Sequence, residues 1–168
     1  MDVLSFNNLD NQAATDVLRP CLDVDRWIDS ILESRPFGSA GELLARAGNA
    51  AAQLSEDEVA AALAHHPRIG ERAEGGTPEA TLSRGEQSGL NLDEAIKRSL
   101  AAGNRAYEQR FDRVFLIRAA GRSSDEILAE LTRRLENKDE IEALEVAGQL
   151  REIALIRLGA AFDSVSAH

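Results

Sequence analysis

The chain has 168 residues, 43% of them hydrophobic and 29% charged, the balance of an ordinary globular domain long enough to bury a core. A formal charge of −10 argues against nucleic acid or an anionic membrane as partner, and no apolar run approaches the roughly 18 residues that a membrane span needs. Cys21 stands alone, which leaves no internal disulfide and no thiolate zinc site, and the N-terminus lacks a secretory pattern, so a cytoplasmic protein is expected.

Taken in order, the chain predicts helices almost throughout. Leu9, Ala13 and Val17 recur at four-residue spacing with Leu18 adjoining, and Pro20 closes that helix. Asp25 opens the next, whose Trp27, Ile28, Ile31 and Leu32 make one apolar face before Arg35-Pro36-Phe37. Ser39-Ala40-Gly41-Glu42 has the form of a capping box, and the helix it starts carries Leu43, Leu44, Ala47, Ala51 and Leu54. Ser55-Glu56-Asp57-Glu58 is a second box.

In the fourth helix Val59, Ala62, Leu63 and His66 fall at i, i+3, i+4 and i+7, which puts His66 at the end of the buried stripe. Pro67 disfavours helical geometry for the residue before it, so His66 leaves the helix there. An imidazole titrates near neutrality, and a break of this kind suits either a catalytic acid–base or a hydrogen-bonded structural histidine. His65 points to another face and reads as solvated. A polar, Gly-rich loop from Arg72 to Pro78 comes next, with Thr77-Pro78 resembling an N-cap and a proline at the first helical position. Ser83-x-x-Glu86 again fits a capping box, so Glu86 either returns a hydrogen bond to a helix start or faces His66 as an acid.

Leu92, Ile96, Leu100, Gly103 and Tyr107 trace a long helix with the small Gly103 on its packing face. Val114-Phe115-Leu116-Ile117 is either an extended segment or a buried helical end, and Gly121 interrupts the chain before the next helix. Ser123 to Glu126 caps a helix with Ile127, Leu128, Leu131 and Leu135 inward. The last helix starts near Asp139 and runs to about Phe162, with Leu150, Ile153, Ala154 and Arg157 on one stripe. Three readings of that arginine stand: a pair with a buried carboxylate, a snorkelling head, or a group awaiting an anionic ligand. The fold class expected is all-α, a single-domain compact bundle of about eight helices over residues 1–168, without internal repeats.

The two lysines, Lys97 and Lys138, sit in polar helical surroundings, and neither reads as the desolvated amine of a Schiff base. No G-x-G-x-x-G or phosphate-loop pattern occurs, so no cofactor is expected. A metal-dependent hydrolase could use His65, His66 and Glu71, but adjacent histidines diverge on a helix and no further ligand has supporting spacing, so no metal is expected either. A non-enzymatic helical interaction module would carry the same caps and stripes, with His66 and Arg157 satisfied internally.

His66-Pro67-Arg68-Ile69-Gly70, Ser83 through Gly89, Asn104-x-x-Tyr107-x-x-Arg110-Phe111 leading to Val114-Phe115-Leu116-Ile117, and the terminal Glu152 to Leu158 together resemble one family. It is the 2-oxo-4-hydroxy-4-carboxy-5-ureidoimidazoline (OHCU) decarboxylases of urate degradation. Trp27 and Arg35-Pro36-Phe37 extend the likeness over most of the chain. Where the family reads closer to Lys-Phe-Gly-Phe, this chain has Arg110-Phe111-Asp112-Arg113, a departure read as surface drift. The resemblance implies an all-helical homodimer that decarboxylates the ureidoimidazoline to (S)-allantoin without a cofactor. It implies His66 as catalytic acid–base with Glu86, and substrate held by Pro67, Ser83, Glu86, Gln87, the backbone from Ile117 to Gly121, and Arg157. His66, Glu86 and Arg157 are then expected to share one cavity. The final Ser166-Ala167-His168 is not a peroxisomal Ser-Lys-Leu address, which favours the bacterial cytoplasm.

Overall fold

The computed structural model describes residues 1–71 and 74–163. Among the described residues every regular element is a helix: α1 (Val3–Asn7), α2 (Asn11–Leu18), α3 (Asp25–Glu33), α4 (Ala40–Ala50), α5 (Glu56–Leu63), α6 (Pro78–Gln87), α7 (Glu94–Phe111), α8 (Ser124–Arg134) and α9 (Asp139–Asp163). The all-α expectation is met with nine helices rather than about eight. Arg72, Ala73 and the terminal Ser166-Ala167-His168 lie outside the described residues.

Short polar side chains start most of these helices. Asp2, Asp10, Ser39, Thr77, Asp93 and Ser123 each accept a hydrogen bond from the backbone N–H three residues on, satisfying a donor that the first turn leaves without an intrahelical partner. The box at Ser55 is reciprocal: Glu58 N–H donates to Ser55 Oγ at 3.1 Å, and Ser55 N–H to Glu58 Oε1 at 2.9 Å. At Ser39 the return bond shifts by one residue, because Glu42 accepts from Gly38 N–H instead.

Several boundaries differ from the sequence reading, each for a local reason. Asp10 caps α2, which leaves Leu9 outside the helix and makes Ala14 and Leu18 the buried pair in place of Ala13 and Val17. Ser83 starts nothing: Thr77 and Pro78 have already opened α6, so Ser83 lies in its interior, 3% exposed, and Glu86 is not a capping partner. Leu54 lies beyond the end of α4. Residues 114–119 are non-helical, and Phe115, Leu116 and Ile117 are buried there.

The chain divides into two compact units, one comprising residues 1–62 and 150–168, the other residues 63–149. In the first, α3 packs on α2 and α4. Trp27 is fully buried there, with its indole N–H donating to the Ala47 carbonyl at 2.9 Å. Phe6 and Phe162 stack edge to face at 5.6 Å. The second unit centres on Ile69, Leu100, Tyr107, Phe111, Phe115, Ile117, Ile127 and Leu131. Here α7 lies so close to α8 that a Cβ on Gly103 would collide with the Leu131 side chain. Gly103 is there because the approach of the two helices leaves no room for more.

Candidate active site

Helix α5 stops at Leu63, three residues before His66, and the His66 N–H donates to the Leu63 carbonyl at 3.1 Å. The helix therefore ends earlier than the apolar stripe suggests, and His66, before Pro67, lies outside it as expected. The imidazole is half-buried beside a cavity of about 490 Å³ that His65, Pro67, Thr77, Glu79 and Ala80 also line. That volume suits a small heterocycle. His65, in the turn after α5, is exposed as expected.

The residues after His66 form a turn fixed from two helices. Gly70 takes a φ of +87°, open to glycine and strained for others. Its N–H donates to Gln87 Oε1 at 3.0 Å, so the amide of α6 holds the turn. Gln87 lines a second cavity, of about 460 Å³, together with Gly70, Arg84, Ser88 and Lys97. Ser83 is buried on α6, and Glu86, near the end of that helix, is half-buried. Thus His66 and Pro67 border one cavity, while Gln87 borders another.

Ile117 is 5% exposed in the non-helical segment, and Gly121 sits a few residues on with a φ of +78°. Two side chains fix the backbone here: Arg134 Nη1 donates to the Leu116 carbonyl at 2.8 Å, and Arg118 N–H donates to Gln149 Oε1 at 2.8 Å. Arg134 in turn meets Glu142, both with side chains sealed from solvent. Tyr107 completes the cluster through its hydroxyl, which donates to Glu142 Oε1. Burial first, and that hydrogen bond second, push the Tyr107 phenol well above the usual tyrosine range.

Arg157 belongs to the first unit. It is 5% exposed, which rules out the snorkelling arrangement, and its Nη1 donates to the Pro20 carbonyl at 2.9 Å.

Sequence reasoning passed over Arg134 and Glu142, and named Asn104 only as part of a motif, without a role. A signal existed for each. Arg134 stands seven residues after Ile127 and three after Leu131, on their stripe, and Glu142 stands four before Val146 and eight before Leu150. Asn104 lies between Leu100 and Tyr107 at helical spacing. Charged or amide groups at such positions need buried partners, which was the clue.

Among the described residues no three histidine, cysteine or carboxylate side chains cluster as a metal ion would require. The residues around His66 offer instead a titratable imidazole at the edge of an open cavity, the arrangement proton transfer needs.

Comparison with known proteins supplies the identity of the fold. The crystal structure of an OHCU decarboxylase in the presence of (S)-allantoin superposes with a TM-score of 0.70 at 23% identity, covering 88% of this chain and 98% of that one. The crystal structure of an (S)-allantoin synthase superposes with a TM-score of 0.72 at 16% identity, covering 97% of this chain and 55% of the other. At such identities the two speak for the fold. No curated protein matches the sequence. The family profile described as OHCU decarboxylase matches residues 7–159, nearly the full length, and on that match the chain belongs to the OHCU decarboxylase family and is a carboxy-lyase.

Proposed function

We propose that this decarboxylase converts the ureidoimidazoline to (S)-allantoin with His66 as the acid–base, and that it does so without a cofactor. The observation that carries the reading is the position of His66, half-buried just beyond the end of α5 and beside a cavity. Cleavage of the bond to the carboxylate releases carbon dioxide and leaves an electron pair on the ring carbon. The ring imine and carbonyl groups of the substrate accept that pair, so the protein has to add a fixed pose, charge stabilisation and a proton. His66 takes the hydroxyl proton as that carbon becomes a carbonyl, and delivers a proton to one face of the adjacent ureido-bearing carbon, the former imine carbon, which sets the chirality. Glu86 shares the catalytic work and accepts from substrate N–H groups, and Gln87 and Ser83 supply further polar contacts. Arg157 presents a planar fork of donors suited to a carboxylate or paired carbonyls. Pro67 and the backbone from Ile117 to Gly121 complete the substrate contacts.

The working form is a homodimer in the cytoplasm. Ile141 and Leu144 on α9 are exposed apolar side chains of the kind that a second copy covers, and no helix among the described residues is long and apolar enough to cross a membrane. The test is circular dichroism on freshly generated substrate, in which one allantoin enantiomer appears faster with protein than without. Replacing His66 by Ala slows that appearance by about 100-fold or more, the usual scale for loss of acid–base catalysis. Wild-type rates in His66→Ala would remove the imidazole from the mechanism.

A further inference from the structure

We infer that one face of α7, through Asn104 and Glu108, is a clamp that sets the imidazole of His66, which makes these two residues positioning residues for the reaction proposed above. This inference rests on the reading of His66 as the acid–base. Leu100, Asn104 and Glu108 are spaced four residues apart and so share one face of α7. They meet the turn after His66 one after another, in reverse order. Glu108 accepts from Arg68, with Nε to Oε1 at 2.5 Å and Nη2 to Oε2 at 3.3 Å, a two-pronged pair. Asn104 Nδ2 donates to the Ile69 carbonyl at 3.0 Å. Leu100 closes over Gly70, where a Cβ would stand 3.0 Å from Leu100 Cδ1.

Three consecutive residues of the turn are thus matched to three consecutive turns of one helix. The turn is also tied internally, since Glu71 N–H donates to the Arg68 carbonyl at 3.0 Å. Pro67 leaves His66 little backbone freedom of its own. Where residues 68 to 70 are held, the imidazole is held with them.

The chemistry of Asn104 supports a dedicated role. It is 4% exposed, its amide nitrogen is spent on the Ile69 carbonyl, and its Oδ1 is buried without a hydrogen bond. The unsatisfied oxygen in an apolar cluster costs stability, which offsets part of what the bond to the Ile69 carbonyl contributes. What the amide adds is a fixed position for the Ile69 carbonyl, which no apolar side chain of its size can give. The pair at the other end is different in kind: Arg68 and Glu108 are partly exposed, so the contact adds little to stability and can be rewired without unfolding the protein.

The experiment measures kcat and KM, per folded protein, for Asn104→Ala, Arg68→Glu, Glu108→Arg and the reversed pair Arg68→Glu with Glu108→Arg, with His66→Ala in parallel. It also records the imidazole NMR signals of His66, assigned by their absence in His66→Ala. The clamp predicts that Asn104→Ala and each single reversal lower kcat by roughly 10-fold or more with KM moved far less, as a misplaced catalytic group does. It predicts shifted His66 signals in those variants, and recovery of both kcat and the signals in the reversed pair. A role confined to stability would lower the melting temperature of Asn104→Ala and leave kcat and the His66 signals as in wild type, which overturns the inference. Should His66→Ala itself remain active, the reading of His66 fails, and the NMR signals alone then decide whether α7 sets the imidazole.

Discussion

Arg134 and Glu142, eight residues apart at the end of α8 and the start of α9, form an ion pair with side-chain exposures of 1% and 0%. The guanidinium donates twice to Glu142 Oε1, from Nε at 2.8 Å and from Nη2 at 2.5 Å, and lies over the Phe115 ring at 4.6 Å. Its remaining arm holds the Leu116 carbonyl, and Glu142 Oε2 accepts from Asn137 Nδ2 at 3.0 Å. Burying such a pair is tolerable only because nearly every donor and acceptor finds a partner. Removing one member strands the other. Glu142→Leu is expected to lower stability by about 3–5 kcal/mol. For a chain of this size that is a fall of roughly 10 °C or more in Tm, read by thermal unfolding. Arg134→Met combined with Glu142→Leu is expected to recover part of the loss, since no charge is then left without a partner. A double variant no better than the single one contradicts this account.

The same cluster gives a pH dependence with a definite sign. Tyr107 is the sole tyrosine, and its phenol is pushed above its ordinary value by burial and by the bond to Glu142. In the unfolded chain a tyrosine ionises near about pH 10, while in the folded protein Tyr107 still keeps its proton. The unfolded state therefore loses the proton first, and stability falls as pH rises above that point. Ultraviolet absorbance of tyrosinate should stay flat past the ordinary range in the native protein and then rise together with unfolding. In Tyr107→Phe the alkaline decline should be shallower, although the neutral-pH stability drops because Glu142 loses a donor. A normal tyrosine titration in the folded protein would contradict the buried cluster.

Gly103 sets two effects against each other. In an exposed helix, Gly→Ala gains about 1 kcal/mol from lower backbone entropy in the unfolded chain. Here the new Cβ meets Leu131, which is 2% exposed and has little room to turn away. Overpacking of that kind costs about 1–3 kcal/mol, so the net change should be destabilising. Urea denaturation of Gly103→Ala decides the sign, and a more stable variant would mean that α7 and α8 can separate freely.

Much of the fold could be read from the chain because caps and stripes are local. Ser39, Ser55, Thr77 and Ser123 were visible as helix starts since each bonds within its own first turn. Ser83 shows the limit of that logic: the same short pattern recurs inside a helix already opened by Thr77, and spacing cannot tell an N-cap from a buried interior serine. Asp112 is a second case. Read as surface drift, it is exposed, and it also ends α7 at a φ of +55°, the left-handed position where the related pattern carries glycine. The exit of His66 from its helix was legible through Pro67, a neighbour in sequence. The helical stripes mark Asn104 and Arg134 as polar groups in need of partners but not which partners, because the bonds to Ile69 and Leu116 span 35 and 18 residues.

Arg157 separates binding from mere packing. It is buried, and its contact with the Pro20 carbonyl is one that an ammonium can also make. Arg157→Lys keeps the charge and loses the planar fork, so a structural role predicts a modest drop in Tm with unchanged turnover. The substrate-holding role proposed above predicts the reverse weighting. Losing one charge-assisted hydrogen bond to substrate is worth about 1.5–3 kcal/mol, which corresponds to roughly a 10- to 150-fold decrease in kcat/KM. Initial rates of allantoin formation over a range of substrate concentrations, set beside the unfolding curve of the same preparation, distinguish the two. A variant with wild-type kcat/KM and a lowered Tm would return Arg157 to the core and leave the guanidinium without a part in the chemistry.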